Sequence, residues 1–254
     1  MWRTFKLKKT RFNYNKVIDD QYLPQDHSRQ TTAVSCVRKI IRENKNIKTM
    51  MDLGCGAGKS VDFFHRLNSE INWVGLDIED SPQVNRRTRN DVEFCSYDGI
   101  NIPFEDNYFD LIYSNQVMEH VRNPRELLKE VARVLKPNGY FVGSTSQLET
   151  YHSFSVWNFT PYGFKILIED AELQLTEIRP SIDGLTMLLR TGFGRPNFFG
   201  RWWRKESPLN KLIGLIGRMS KKNHRQINSA KLLLCGQFTF IVRKVVTSPD
   251  EISL

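Results

Sequence analysis

The sequence predicts an α/β fold in which a mostly parallel sheet is covered by helices on both faces. Short apolar, branched runs alternate with segments of helical apolar spacing between about residues 48 and 180, the pattern of parallel crossovers. A glycine-rich turn, Gly54-Cys55-Gly56-Ala57-Gly58, falls between the first run and the helix after it. An acid, Asp77, closes the second run nineteen residues beyond Gly58.

Taken in order, Gln25 to Arg42 places Ala33, Val34, Val37, Ile40 and Ile41 at helical spacing, so a helix should precede the sheet. Lys48 to Leu53 reads as the first strand and Lys59 to Leu67 as a helix with Val61, Phe64 and Leu67 on one face. Ile71–Ile78, Val92–Cys95, Phe109–Tyr113 and Tyr140–Ser144 are the next four strands. The helix before the fifth strand starts at Asn123-Pro124, carries Leu127, Leu128, Val131, Val134 and Leu135, and stops at Pro137-Asn138-Gly139. Pro161 to Ala171 is a further helix and Leu175 to Arg179 a sixth strand. Leu232 to Lys244 reads as one long last strand with a bulge near Gly236.

The 254 residues, with 16 Phe and 5 Trp, are enough for one core with a modest lid and too apolar for a disordered chain. Cys36, Cys55, Cys95 and Cys235 form no CxxC pair, so neither a zinc site nor a disulfide framework is called for, and a reduced cytoplasmic setting is expected. No apolar run follows the basic N-terminus, so neither a signal peptide nor a membrane span is expected.

Charge is unevenly spread. Residues 1–16 hold six basic and no acidic residues, and residues 181–230 hold ten basic and two acidic, within a net charge of +9. The central region is therefore slightly acidic, and the basic character belongs to two appendages suited to an anionic partner. The expected divisions are an N-terminal arm and helix over 1–45, a core over 46–180, a helical insertion over 181–230 with helices near 186–190 and 209–219, and a closing strand and tail over 231–254.

Glycines between a strand and a helix permit a tight turn and close approach of a ligand to backbone N–H groups. The spacing here is GxGxG, with Asp52 two residues before the first glycine. A dinucleotide fingerprint would read GxGxxG, and an acid in this place would repel a pyrophosphate. The loop therefore suits a ligand with a cationic centre, while Asp77 at a strand's carboxyl end suits the two hydroxyls of a ribose.

The ordered blocks MDLGCGAG, VGLDI, CSYDGINIPFEDNYFDLIYSNQVMEHV and RELLKEVARVLKPNGYFVGS resemble the class I S-adenosylmethionine-dependent methyltransferases, within them the ubiquinone and sterol methyltransferase group. The resemblance covers roughly residues 48–180. It implies a Rossmann-like seven-stranded sheet whose last strand alone is antiparallel, with a helical insertion before that strand. It implies that Gly54, Cys55, Gly56 and Gly58 surround the methionine and ribose portions of S-adenosylmethionine, with Asp52 near the methionine amine and Asp77 on the ribose. It puts Ile78 beside the adenine, Asp98 on the exocyclic amine with Gly99 and Ile100 alongside, and Asn115 with Gln116 near the methionine end. Asp110, at the far end of the fourth strand, is expected to be structural.

A hydroxyl acceptor would need a base. Glu119 and His120, just past the fourth strand, and His152, after the fifth, are the candidates, each with the alternative of merely capping a helix or lying on a surface loop. The region from Trp157 to Phe164 and on to Leu185 resembles methyltransferases of bacterial surface-polysaccharide clusters, so the expected acceptor is a small molecule, a sugar hydroxyl on a nucleotide- or lipid-linked glycan whose phosphate the basic insertion would hold. A phenol, quinone or lipid is the alternative, and an RNA acceptor a lesser one. Arg201-Trp202-Trp203-Arg204-Lys205, followed by an amphipathic helix to Met219, fits pocket cover or contact between copies first, a membrane surface at the inner face second, and nucleic acid least.

Overall fold

A computed structural model describes residues 17–150 and 152–245. The expected basic arm over 1–16 lies outside the described residues.

Seven strands form one sheet: β1 (Thr49–Leu53), β2 (Asn72–Ile78), β3 (Glu93–Tyr97), β4 (Phe109–Asn115), β5 (Leu135–Ser146), β6 (Gln174–Pro180) and β7 (Gln237–Arg243). Their order is β3-β2-β1-β4-β5-β7-β6. β1 to β5 run parallel, and β7 lies antiparallel between β5 and β6. The order reverses between β1 and β4, so the loops leaving those two strands diverge and leave a crevice at their carboxyl ends.

Alternation along β1 divides the core. Met50 packs with Val37, Ile40, Ile41 and Phe64 from α1 (Ala33–Glu43) and α2 (Val61–Leu67). Met51 and Leu53 pack on the other face with Leu127, Leu128 and Val131 of α3 (Pro124–Val134) and Phe164 of α4 (Pro161–Asp170). Both faces are buried, which is why the parallel strands read as nearly continuous apolar runs.

Asp110 is structural, as expected. Its Oδ2 accepts from the backbone N–H groups of Lys48 and Thr49 and from Thr49 Oγ1, and its Oδ1 accepts from Lys136 Nζ at 2.9 Å. Burial alone would raise this carboxyl, but the bonds from Lys136, Lys48 and Thr49 outweigh it and hold its pKa below the usual range. That stability is present above the unfolded pKa and is lost as pH falls through the lower folded value. Asp110→Ala should cost about 2–3 kcal/mol in denaturant unfolding, the scale of charged hydrogen bonds broken. S-adenosylmethionine affinity should stay within twofold. A loss of affinity without loss of stability would overturn the structural role.

Several elements differ from those expected. α2 starts at Val61, not Lys59, and α3 ends at Val134: Leu135 already begins β5, so Pro137-Asn138-Gly139 lies within the strand and does not stop the helix. α1 begins at Ala33, not near Gln25, because Thr32 is its N-cap and accepts from Ser35 N at 3.3 Å. Leu232 is not the start of a strand: it ends α7 (His224–Leu233), a helix not foreseen, and β7 starts only at Gln237. Gly236 is a close approach and not a bulge, since a Cβ there would lie 2.3 Å from Met187 Sδ and 3.2 Å from Gly184 Cα.

The insertion holds α5 (Gly184–Gly192), a 3-10 helix over Asn197–Trp203, α6 (Pro208–Met219) and α7. α6 turns its polar side inward. Asn210 is fully buried, donating to Gln30 Oε1 and Ser181 O, while Leu212, Leu215, Ile216 and Met219 are 49–76% exposed. Ile213 and Ile216 of α6 line, with Ile227 and Leu233 of α7, an open cavity of about 670 Å³.

Candidate functional site

The glycine loop follows β1 directly. Gly54, Gly56 and Gly58 have φ of +75°, +52° and +71°, values that any side chain strains. Gly56 N donates to Asp77 Oδ2 at 2.6 Å, so the end of β2 anchors the loop. Arg87, which the sequence did not single out, donates to Gly56 O through Nε and Nη2 at 3.1 and 2.8 Å and lies over the Phe94 ring at 3.7 Å. Only the fold brings the loop after β2 over the loop after β1, so no spacing could have announced this contact.

Asp52 lies on β1 opposite Gly75 and Tyr113. It is buried and accepts a hydrogen bond from Ser60 Oγ. Burial pushes its pKa up to about 7, with the Ser60 bond opposing and the Asp77 charge reinforcing the shift. A buried carboxylate close to an open loop is a receptor for a cationic group.

At the ends of β2 and β3, Ile78 pairs with Tyr97, which brings Asp77, Ile78, Asp98 and Gly99 to one edge. Ile78 is exposed, and a Cβ at Gly99 would meet its Cγ2 at 3.9 Å. Asp98 Oδ1 accepts from Ile100 N and Asn101 N, and its Oδ2 accepts from Asn101 Nδ2. These bonds hold its pKa low, Asn101 first. An apolar shelf flanked by a carboxylate fits a heteroaromatic base with an exocyclic amine.

The loop after β4 closes the crevice. Val117 sits against Gly54, where a Cβ would meet its Cγ2 at 2.3 Å. Asn115 Oδ1 accepts from Ser144 Oγ, and the Gln116 amide reaches Ser144 and Gln237. A 3-10 turn over Met118–His120 then presents Glu119 and His120.

Glu119, His120 and His152, proposed from sequence as separate candidates, converge. One nitrogen or oxygen from each lies within 4.8 Å of the other two. The imidazoles stand edge to face with centroids 5.2 Å apart. Glu119 is fully buried, accepting from Thr145 Oγ1 at 3.0 Å and lying 3.2 Å from Ser146 Oγ. Burial raises its pKa to about 7, and nearby Glu149 adds to the rise. Burial and then His152 push the His120 pKa down.

Glu149 and Gln237 were missed. Glu149 Oε2 accepts from Gln237 Nε2 at 2.8 Å and Ser146 Oγ at 2.5 Å, and its Oε1 lies 3.4 Å from His152 Nδ1. Gln237 joins from β7, 88 residues on from Glu149. Backbone ties fix the loop that carries His152: Val156 N and Trp157 N both donate to Glu119 O, at 2.7 and 3.0 Å.

A strand, a left-handed glycine turn with a buried acid beneath it, a ribose-type carboxylate and a base shelf at a topological switch point define a nucleoside-binding α/β domain. The donors suit a cationic nucleoside cofactor. Residues 51–143 match the family model described as a methyltransferase domain, and the chain has the fold of the class I S-adenosylmethionine-dependent methyltransferases.

Among curated relatives, the human "Probable tRNA methyltransferase 9B" is 34% identical over 113 residues, covering 43% of this chain and 24% of that protein. A demethylmenaquinone methyltransferase from Paenarthrobacter aurescens is 31% identical over 109 residues, 41% of this chain and 42% of its own. The chain thus spans about a quarter of the human relative's length. Among solved structures, the YcgJ protein of Bacillus subtilis superposes with a TM-score of 0.53 at 15% identity, over 85% of this chain and 99% of that one. The cyclase SpnF reaches 0.54 at 14% identity, over 89% and 90%. The same fold thus occurs in a protein titled a cyclase, so fold alone does not name a reaction.

Asp77→Ala removes the loop's anchor and the carboxylate at the ribose position together. It should weaken S-adenosylmethionine binding about 10–100-fold, the scale of one charge-assisted hydrogen bond or two. Calorimetry with a folded-state check by circular dichroism measures this; unchanged affinity would remove Asp77 from the site.

Proposed function

We propose that the chain transfers a methyl group from S-adenosylmethionine to a hydroxyl of a small molecule, and that the acceptor is a sugar on a nucleotide- or lipid-linked glycan. The convergence of Glu119, His120 and His152 beside the glycine loop supports this reading most directly. When bound, the cofactor supplies a methyl group already activated on a sulfonium.

What remains for the protein is to hold the nucleoside, align the acceptor oxygen and draw off its proton. Gly54, Cys55, Gly56 and Gly58 with Asp52 hold the methionine and ribose portions, and Asp77 takes the ribose hydroxyls. Ile78, Asp98, Gly99 and Ile100 take the adenine, and Asn115 with Gln116 border the methionine end. His120, Glu119 and His152 activate the hydroxyl. In this scheme residues 46–180 are the cofactor core, closed by β7 within the 231–254 segment, and 181–230 serve the acceptor; a hydrogen bond of 2.9 Å between the Thr150 and Thr191 hydroxyls links the acceptor loop to α5.

A lipid-linked acceptor accounts for the outer face of the insertion. Leu185, Leu188 and Leu189 of α5, Phe193 just after it, and Phe198 are exposed, as are Leu212, Leu215, Ile216 and Met219 of α6. Arg190, Arg201, Arg204, Lys205 and Lys211 accompany them. Exposed apolar side chains bordered by Arg and Lys suit an anionic membrane surface at the cytoplasmic face, and the same cations would grip the phosphate of the acceptor. No helix among the described residues is long and apolar enough to cross a membrane, so the contact would be peripheral. Leu212→Glu with Ile216→Glu should lower sedimentation with phosphatidylglycerol vesicles at least tenfold, given about 1.5–3 kcal/mol per buried aliphatic side chain. Wild-type sedimentation by that variant, or loss of a dimer in its place, would overturn the membrane contact.

Transfer of labelled methyl to nucleotide sugars, lipid-linked sugars, phenols, quinones and tRNA tests the acceptor. Labelling confined to the sugars supports the reading. Labelling of tRNA, or of phenols and quinones alone, rejects it.

A further inference from the structure

We infer that Glu119, His120 and His152 form a binding site for a divalent transition-metal cation, with its open coordination positions facing the acceptor. The three side chains offer one oxygen and two nitrogens, all within 4.8 Å of one another. A two-histidine, one-carboxylate set is a common catalytic metal arrangement, and it leaves room for further oxygen ligands. Donors around a bound zinc ion lie about 3.4 Å apart, as its ~2.1 Å tetrahedral bonds require, so the three groups need to close by little more than an ångström.

Among the described residues no Lys or Arg pairs with Glu119 or Glu149, whose one ion-pair partner is the His152 imidazole when protonated. Glu119 is fully buried, and its partners among the described residues are neutral: the hydroxyls of Thr145 and Ser146 and the side-chain amide of Gln116. Glu149 shares the Ser146 hydroxyl with it. Buried carboxylates are ordinarily paired with Lys or Arg or bound to a metal. His152 Nδ1 is buried with no hydrogen-bond partner, its nearest acceptor being Glu149 Oε1 at 3.4 Å. A buried imidazole nitrogen with no hydrogen bond, beside two carboxylates whose other partners are neutral, is a set of donors that a bound cation would satisfy.

The backbone supports the arrangement. Ser153 and Phe154 follow His152 with φ of +43° and +60°. Two successive non-glycine residues in that region carry strain, of the kind that collects where a loop must hold a functional side chain. The bonds from Val156 N and Trp157 N to Glu119 O fix this loop to the residue that supplies the carboxylate ligand.

Neighbouring hydroxyls of a sugar would fill the open positions, and a metal-bound hydroxyl loses its proton more easily; with Glu119, His120 and His152 engaged as ligands, the metal takes over the activation assigned to them above, and Glu149, beside His152, receives the proton. This second half rests on the hydroxyl-acceptor reading above; the cation site does not.

The test uses untagged, chelator-stripped full-length protein. Calorimetry with Zn2+ should give one site, and Co2+ should give visible absorption bands that Zn2+ abolishes. His152→Ala and Glu119→Gln should each weaken Zn2+ binding at least tenfold while S-adenosylmethionine affinity stays within twofold. Should Glu119→Gln fail to fold, His152→Ala, in a loop, decides. Absence of Zn2+ binding, or Zn2+ binding that His152→Ala leaves unchanged, overturns the site. For any hydroxyl acceptor the panel identifies, chelation should cut the rate more than tenfold and Zn2+ or Mn2+ should restore it; a rate indifferent to chelator overturns the metal's role at the acceptor. Binding of Zn2+ without S-adenosylmethionine binding would sink the methyl-transfer reading and leave the site standing, and the reverse result would do the opposite.

Discussion

Gly54→Ala should reduce S-adenosylmethionine affinity about 100-fold or more, with a smaller effect on global stability. Two costs add. The backbone at this position has φ +75°, which costs an L-residue about 1–2 kcal/mol. The new methyl would also lie 2.3 Å from Val117 Cγ2, and overpacking of this kind costs roughly 1–3 kcal/mol. Relief by moving either loop would open the crevice between the turn after β1 and the turn after β4, where the ligand must sit. Adding Val117→Ala to Gly54→Ala removes the clash and leaves the backbone strain, so about half the lost binding energy should return. Wild-type affinity in Gly54→Ala would show that the loop does not cradle the cofactor. No recovery in the double variant would assign the whole loss to the backbone.

Binding of S-adenosylmethionine should release close to one proton at pH 6–6.5, and Asp52→Asn should abolish that release. Burial holds the Asp52 pKa at about 7 against an ordinary value of 3.8. An ammonium group brought beside it favours the carboxylate and drives the proton off. Affinity should therefore rise with pH up to about 7 and then level. In the free protein, the raised folded value means that Asp52 binds a proton between roughly pH 4 and 7 while the unfolded chain has lost it. Its contribution to stability is full below the unfolded pKa and declines as pH rises through the folded one, by an amount on the order of 4 kcal/mol for a three-unit shift. Calorimetry in buffers of different ionisation enthalpy reads the proton directly, and denaturant melts against pH read the stability. Binding without proton release would separate Asp52 from the cofactor's amine.

The geometry of the glycine turn and of the β2 end was legible in the sequence because its parts are local. A strand, three glycines and an acid at the end of the next strand specify a geometry that follows from backbone rules alone. The sheet was legible for the same reason: buried parallel strands betray themselves as apolar runs. The acceptor end was not. Glu119 and His120 could be named from their place after β4, but their meeting with His152, Glu149 and Gln237 depends on β5 and β7 lying side by side. Leu232-Leu233-Leu234 was misread as strand because three leucines satisfy either period. The capping box of Asn223 and Gln226, which starts α7, was the signal that would have corrected it. The apolar side of α6 was recognised, yet which side would be buried was decided by Asn210 finding Gln30 and Ser181, a pairing invisible to periodicity.

β7 is the last strand among the described residues yet lies inside the sheet, between β5 and β6. A nascent chain leaving the ribosome could therefore assemble the glycine turn and the first five strands while β6 still has no neighbour to join. Gln237 arrives only with β7 and is the residue that ties Gln116 to Glu149. The half with the glycine turn would mature early, and the cluster of Glu119, His152 and Glu149 would gain its Gln237 tie only with the final insertion event.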